Sequence, residues 1–207
     1  SPKELIGPGH SVASVDWVHR DKLAWGGGVL FDLPNDYPVM KAEFRRRYGF
    51  AAWGPEHKAW MREAPPTAGA MSMVQEIPHE LTQVTADPRV KDVYGMPVAR
   101  LRGEGHPATL AAADFMAARA VEWTEAVGGR DVTSFAAAGG ARGAEHSAGT
   151  ARLGSDPAHS VTNERGQVWG TSNVFVADAS LHPTNGGFNP GLTAMANAMR
   201  VADLMTR

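Results

Sequence analysis

The chain has 207 residues, 43% of them hydrophobic, and 20 basic against 22 acidic side chains give a net charge of −2. This length suffices for one large domain or two small ones, and nothing in the balanced charge suggests a nucleic-acid or membrane-surface partner recruited by bulk charge. The absence of cysteine excludes disulfides, thiolate metal sites and cysteine nucleophiles.

The first ten residues, SPKELIGPGH, lack the basic and then apolar pattern of a signal peptide, and no apolar run is long enough to span a bilayer. These features favour the cytoplasm, although a chain without cysteine is equally compatible with export. Because the sequence starts at Ser1, we expect a processed chain or a fragment of a longer one.

The first third of the chain mixes short elements. Residues 11–20 alternate apolar and polar side chains, which predicts a short strand or loop. The glycines at 26–28 indicate that the backbone there comes close to another group. Residues 39–50 predict a short helix, and residues 53–66 predict a second helix that ends at the Pro65-Pro66 pair.

The middle of the chain predicts strands. Residues 70–77 and 79–85 are two strand-like runs on either side of Pro78, and ADPR at 86–89 is typical of a turn. Residues 90–102 predict a further extended run. Together these patterns indicate a mostly antiparallel sheet.

A long helix is predicted over 108–129, between Pro107 and two glycines. Its imperfect apolar stripe comprises Leu110, Asp114, Phe115, Ala118, Val121 and Glu122. The composition of 136–145 predicts a flexible linker, and residues 173–180 predict a short apolar strand.

The C-terminal GGFNPGLTAMANAMRVADLMTR predicts a helix after Asn189-Pro190. Asn is a good N-cap and Pro suits the first helical position, so the pair could be only a helix cap. Alternatively, the unpaired N–H groups of Gly191 and Leu192 could bind an anion at the positive end of the helix. The side chains of Leu192, Met195, Met199 and Ala202 fall on one face, through which we expect the helix to pack.

His146 stands in EHSAGTARLGSDP, where small residues follow it. A single histidine is usually structural or exposed, but small neighbours would let the chain pass close to a bulky ligand. A neutral imidazole is also the natural base for a hydroxyl proton near pH 7. His159, in a turn with Asp156-Pro157, is expected to be solvated.

Taken together, the segment from HSAGTARLGSDP through VWGTSNVFVADASLHPTNGGFNPGLTAM to ANAMRVADLM resembles the C-terminal part of the glucose–methanol–choline (GMC) flavin oxidoreductases. The match extends over about 60 residues, with Leu153 where methionine is common in the family. VTADPRVKDVYGMPVARLR, at 84–102, is similar to the substrate domain of family members that act on sugars and glycosides.

The resemblance implies residue roles. His146 matches the family's catalytic base, and Asn189 matches its partner, a position held by His or Asn. Cofactor-binding positions are implied at Asp178, Ala179, Ser180, Pro190, Gly191 and Leu192. His182 falls where the family often carries an aromatic residue, so the resemblance gives it no catalytic role, and no metal is implied.

The family's dinucleotide fingerprint, Gly-x-Gly-x-x-Gly after a strand, is absent from the sequence. We therefore expect an α+β or α/β fold: a substrate domain of antiparallel sheet and helices, plus the C-terminal part of a Rossmann-like FAD-binding domain. The predicted division is a linker or part of the FAD-binding domain at 1–30, a substrate-binding domain at 31–140 and the C-terminal FAD-binding segment at 141–207. The resemblance implies an N-terminal partner segment or chain that carries the fingerprint, and a homo-oligomer is possible.

The reaction implied by the resemblance is oxidation of an alcohol, on a sugar or glycoside. His146 would take the hydroxyl proton, hydride would pass to flavin N5, and Asn189 would bind the same oxygen. Two alternatives stay open at this point: a non-catalytic subunit of a flavoprotein, and a flavin-containing lyase. The sequence does not distinguish an oxidase from a dehydrogenase.

Overall fold

The computed structural model describes residues 12–19, 26–34, 42, 53–63, 68–134 and 146–206. The helix predicted at 39–50, apart from residue 42, and the linker at 136–145 lie outside these residues. In chain order the elements are β1 (Ala13–Ser14), β2 (Gly28–Pro34), α1 (Gly54–Glu63), β3 (Ala68–Glu76), β4 (Gln83–Lys91), β5 (Pro97–Arg102), α2 (Pro107–Ala126), a 3-10 turn (Ala179–Leu181), β6 (Asn185–Gly186) and α3 (Gly191–Met205).

The main sheet has four antiparallel strands in the order β1-β2-β3-β6. Its centre is the ladder between β2 and β3, which pairs Gly28 with Val74 and ends at Pro34 and Ala68. A Cβ at Gly28 would lie 1.9 Å from the carbonyl oxygen of Met73. The close backbone approach predicted for this glycine run is therefore confirmed.

Helix α2 covers this sheet. It begins after His106, whose Nδ1 accepts a hydrogen bond from the Ala108 amide at 3.1 Å, and Pro107 occupies the first helical position. The predicted stripe is wrong, because the buried side chains are those of Thr109, Ala112 and Met116. Alanine occurs on nearly every face of this helix, so the sequence pattern does not indicate which face packs.

A separate two-stranded ribbon is formed by β4 and β5. The turn predicted at 86–89 is wrong, because these residues lie within β4 at a register shift. The Asp87 carboxylate accepts from the amides of Arg89 and Val90 at 2.8 and 2.9 Å, so the local turn chemistry produces an irregular strand. The chain reverses instead at 92–96, where Gly95 has φ +84°.

The strand predicted at 173–180 is also wrong. Only a single bridge, between Gln167 and Phe175, forms there, and the segment ends in the 3-10 turn. The amide of Val176 donates to the Gly166 carbonyl at 2.8 Å, and the amide of Val168 donates to the Val174 carbonyl at 2.9 Å. The segment therefore folds back on the preceding loop and gives its apolar residues local partners, without a ladder.

Helix α3 confirms the predicted C-terminal helix but not its packed face. Leu192, Met195 and Met199 are 78%, 61% and 75% exposed, whereas Val201 is fully buried. A Cβ at Gly166 would lie 2.7 Å from Val201, so the helix packs where this glycine leaves room.

Two arginines tie α3 to the loop before it. The Arg165 guanidinium donates to the Leu204 carbonyl, and the Arg200 guanidinium donates to the Glu164 carbonyl at 2.5 Å. These contacts fix the C-terminal end of the helix while its apolar face stays exposed.

The α+β prediction of an antiparallel sheet with helices is confirmed, and the Rossmann-like portion stays a prediction. The domain division also stays a prediction, although β2 runs across its boundary between residues 30 and 31. Within the described ranges, no helix is long and apolar enough to cross a bilayer.

Candidate functional site

The segment after His146 runs beside the 3-10 turn. Amides of the first segment donate to carbonyls of the second in three hydrogen bonds of 3.0–3.1 Å: Gly149 to Ala179, Ala151 to Ser180 and Leu153 to Leu181. The predicted base and one group of predicted cofactor residues are therefore held in adjacent, hydrogen-bonded segments, although about 30 residues of sequence separate them.

His146 is half-buried, and its carbonyl oxygen accepts a hydrogen bond from the Asn185 side-chain amide at 2.9 Å. Four residues on, Thr150 has φ +73°. A β-branched residue in this region costs on the order of 1–3 kcal/mol, so the surrounding bonds hold the backbone after His146 in an unfavourable conformation.

The predicted cofactor residues at the 3-10 turn are linked to each other. The Asp178 carboxylate accepts from the Ser180 hydroxyl and amide, at 2.5 and 2.8 Å. These two bonds, the hydroxyl first, hold the pKa of Asp178 below its ordinary value. Asp178 is exposed, whereas Ala179 and Ser180 are half-buried.

His182 lies directly after this turn and is buried, with 6% of its surface exposed. Its amide donates to the Ala179 carbonyl at 3.1 Å. Its Nε2 has no hydrogen-bond partner among the described residues. Buried polar atoms rarely stay unpaired, so this ring nitrogen is an exception among the described residues.

The second predicted group lies at the start of α3. The N-cap is Pro190 and not Asn189, and the helix has no side-chain cap. The first helical amides therefore have neither an intrahelical acceptor nor a capping side chain. Asn189, Gly191 and Leu192 are exposed, and a Cβ at Gly191 would meet open space.

Asn185 lies between the 3-10 turn and α3 and donates to the His146 carbonyl, a contact that sequence reasoning missed. TNGG at 184–187 reads as turn chemistry, and nothing in that pattern indicates a side chain directed at the His146 carbonyl. Within the described part of the chain, no hydrogen bond joins Asn189 to His146.

His159 is exposed, as predicted. The described residues contain no group of three or more His, Asp or Glu side chains placed to hold a metal ion.

Comparison with known proteins identifies relatives. The family profile described as GMC oxidoreductase matches residues 78–198. The chain is 34% identical over 205 residues to a 2-methyl-1,2-propanediol dehydrogenase of Mycolicibacterium austroafricanum, covering 96% of this chain and 36% of that protein. It is 33% identical over 214 residues to a gluconate 2-dehydrogenase flavoprotein of Pantoea cypripedii, covering 94% and 33%.

A pyranose 2-oxidase of Lyophyllum shimeji is 29% identical over 181 residues, covering 84% of this chain and 27% of that protein. The chain thus spans about a third of the length of the curated relatives that it matches.

Proposed function

Since the chain belongs to the GMC oxidoreductase family, we propose that it carries the substrate-binding part and the catalytic base of an FAD-dependent alcohol oxidation. The substrate is a sugar, a glycoside or a small polyol. This choice is supported by the relatives whose names specify a diol, gluconate and pyranose as substrates.

The observation that carries the proposal is the triple hydrogen bonding between the His146 segment and the 3-10 turn. It supports a site in which the base and the cofactor-binding residues act on one bound molecule. A constellation of this kind needs fixed geometry, because orientation supplies much of the rate.

The residues present fit a flavin with a polar, electron-rich edge. The start of α3 has no side-chain cap and is open at Gly191, so its amides can donate to that edge. The unpaired Nε2 of His182 supplies a further buried polar atom beside the 3-10 turn. Asp178, Ala179, Ser180, Pro190, Gly191 and Leu192 would hold the cofactor, and FAD when bound supplies the hydride acceptor.

In the proposed chemistry, the imidazole of His146 accepts the proton of the substrate hydroxyl. The amide of Asn189 donates to the same oxygen and orients it. Helix α3 lends the positive end of its dipole to the electron-rich edge.

The FAD-binding remainder is proposed to be a preceding segment or a separate chain that covers the apolar face of α3. That face comprises Leu192, Met195 and Met199, and all three side chains are largely exposed. Exposed apolar clusters of this kind mark interaction surfaces. The relatives are about three times longer than this chain, and a segment corresponding to their additional length is the proposed covering surface.

Replacing His146 with alanine tests the proposal in the assembled, flavin-loaded enzyme. We expect the rate of anaerobic flavin reduction by D-glucose or 1,2-propanediol to fall about 10²–10⁴-fold, because the proton acceptor is lost. FAD binding should persist. His159→Ala, at an exposed turn, is the matched control and should leave the rate unchanged. Unchanged flavin reduction in His146→Ala would refute the assignment.

A further inference from the structure

The Asn185 side chain connects three parts of the molecule. Its Nδ2 donates to the His146 carbonyl oxygen at 2.9 Å and lies 3.4 Å from a carboxylate oxygen of Glu76. Its backbone belongs to β6, in register with Glu76 at the end of β3. The side-chain amide of Asn185 therefore contacts both the sheet, at Glu76, and the His146 segment. The backbone of Asn185 continues from there to α3.

The position of Asn185 is itself well determined. The following residue, Gly186, pairs with Gln75, so two consecutive residue pairs fix β6 against β3. A hydrogen bond from the Gln75 amide to the Gly27 carbonyl at 3.0 Å ties that end of β3 to the segment before β2. Asn185 thus extends from the edge of the sheet, and the sheet sets where its side chain can reach.

We propose that Asn185 is a positioning residue that holds His146 at its working position relative to Asn189. This inference rests on the proposed function of His146. The side chain fixes the backbone of the base, and four residues later the same segment delivers Asn189. Asn185 touches neither substrate nor cofactor in this role; it acts through His146.

The donor, and not the size, of the side chain is the critical property. The His146 carbonyl is bonded to a side chain and not to a strand partner. Without a donor, that half-buried carbonyl loses its partner, and the backbone that carries the imidazole can move. Displacements on the order of 1 Å at a catalytic group can reduce rates by about a hundredfold.

Asn185→Asp tests the role at constant side-chain size in the assembled, flavin-loaded enzyme. An ionised carboxylate cannot donate to the His146 carbonyl. We expect flavin reduction by D-glucose or 1,2-propanediol, measured per bound flavin, to slow about ten- to a hundredfold with KM little changed. Hydrogen exchange should rise at the amides of 147–153, and the FAD content per chain should be retained.

A second variant separates positioning from charge repulsion, because the carboxylate introduced by Asn185→Asp would also face Glu76. Glu76→Gln alone leaves the Asn185 donor in place and should reduce flavin at close to the wild-type rate. The double variant Glu76→Gln/Asn185→Asp should stay as slow as Asn185→Asp. Recovery of the double variant to the wild-type rate would overturn the positioning role.

His146→Ala distinguishes the failure of this inference from the failure of the proposed function. If His146→Ala abolishes flavin reduction and Asn185→Asp reduces flavin normally, only the positioning role is wrong. If His146→Ala reduces flavin normally, the proposed base is wrong. A loss of flavin from Asn185→Asp at an unchanged rate per bound flavin would show a structural role and also overturn the proposal.

Discussion

The two longest helices among the described residues differ in how they use their apolar surface. Helix α2 buries Ala112 and Met116 almost completely against the main sheet. Helix α3 buries only Val201 fully and exposes Leu192, Met195 and Met199. The described residues therefore cover the apolar face of α2, whereas most of the apolar face of α3 stays exposed.

This difference distinguishes apolar side chains that stabilise the fold from apolar side chains that are available to contact another surface. In α2, apolar side chains contribute to stability by leaving water. In α3, methionine and leucine side chains at positions 192, 195 and 199 contribute little to the fold of these residues. Their presence next to the uncapped start of the helix agrees with the proposed FAD-binding remainder.

The largest effect is expected in the core under α2. Met116→Ala removes a fully buried side chain and should lower the free energy of unfolding by about 2–5 kcal/mol through lost burial and a cavity. Urea denaturation would measure it. Met205→Ala, at a position that is 54% exposed, is the control, and equal losses in the two variants would contradict the contrast between the helices.

A smaller loss is expected at the contact that anchors α3. Gly166→Ala would place a Cβ 2.7 Å from Val201 on a backbone with φ +76°, so both packing and conformation are penalised. The strained backbone alone costs about 1–3 kcal/mol. Thermal unfolding should show a lower Tm, and Gly170→Ala, with φ +77° but open space around it, separates the packing part of the loss.

The third effect depends on pH and concerns the 3-10 turn. Asp178→Ala removes the cap and should cost at most about 1 kcal/mol at neutral pH, since the carboxylate is exposed. Because the pKa of Asp178 is lowered in the fold, its contribution is present above the ordinary value of 3.8. That contribution is lost as the pH falls through the lower folded pKa.

Urea denaturation of the Asp178 variant and the wild type, from neutral pH into the acid range, measures this difference. Asp178→Asn keeps an oxygen acceptor, so its free energy of unfolding at neutral pH should stay closer to wild type than that of Asp178→Ala. Its stability should no longer change with the titration of residue 178. A difference between Asp178→Ala and wild type that grows towards low pH would contradict the assigned sign.

The smallest effect on stability is expected on the outward face of α3. Met195→Lys and Met199→Lys change exposed side chains, so the free energy of unfolding should stay within about 0.5 kcal/mol of wild type. The FAD content of the assembled enzyme should nevertheless fall, because charges would enter the proposed contact. Flavin absorbance per chain measures this, and full FAD content in both variants would rule out the proposed covering surface.

Much of the local structure was predictable because its causes lie within a few residues. Pro107 stands at the start of α2, as the sequence predicts, whereas the Pro65-Pro66 pair predicted to end α1 lies outside the described residues. The packed faces were not predictable. Val201 is buried because Gly166, 35 residues earlier, leaves room for it, and a helical pattern contains no information about that distant residue.

The candidate site divides in the same way. A loop rich in small residues and an Asn-Pro junction drew attention to His146 and Asn189, and the family resemblance supplied their roles. Asn185 and the buried Nε2 of His182 became visible only in three dimensions. The role of Asn185 rests on a hydrogen bond to a residue 39 positions earlier in the chain. The lack of a partner for the His182 ring nitrogen depends on which atoms surround the ring.

Strand β6 has a consequence for the synthesis of the chain. It contributes two residues to the main sheet, yet Asn185 lies 109 residues after its partner Glu76. At the usual rate of translation, the end of β3 waits on the order of ten seconds for this partner. During that time its strand edge is unpaired, so the sheet, and with it the position of the His146 carbonyl, can be completed only late in folding.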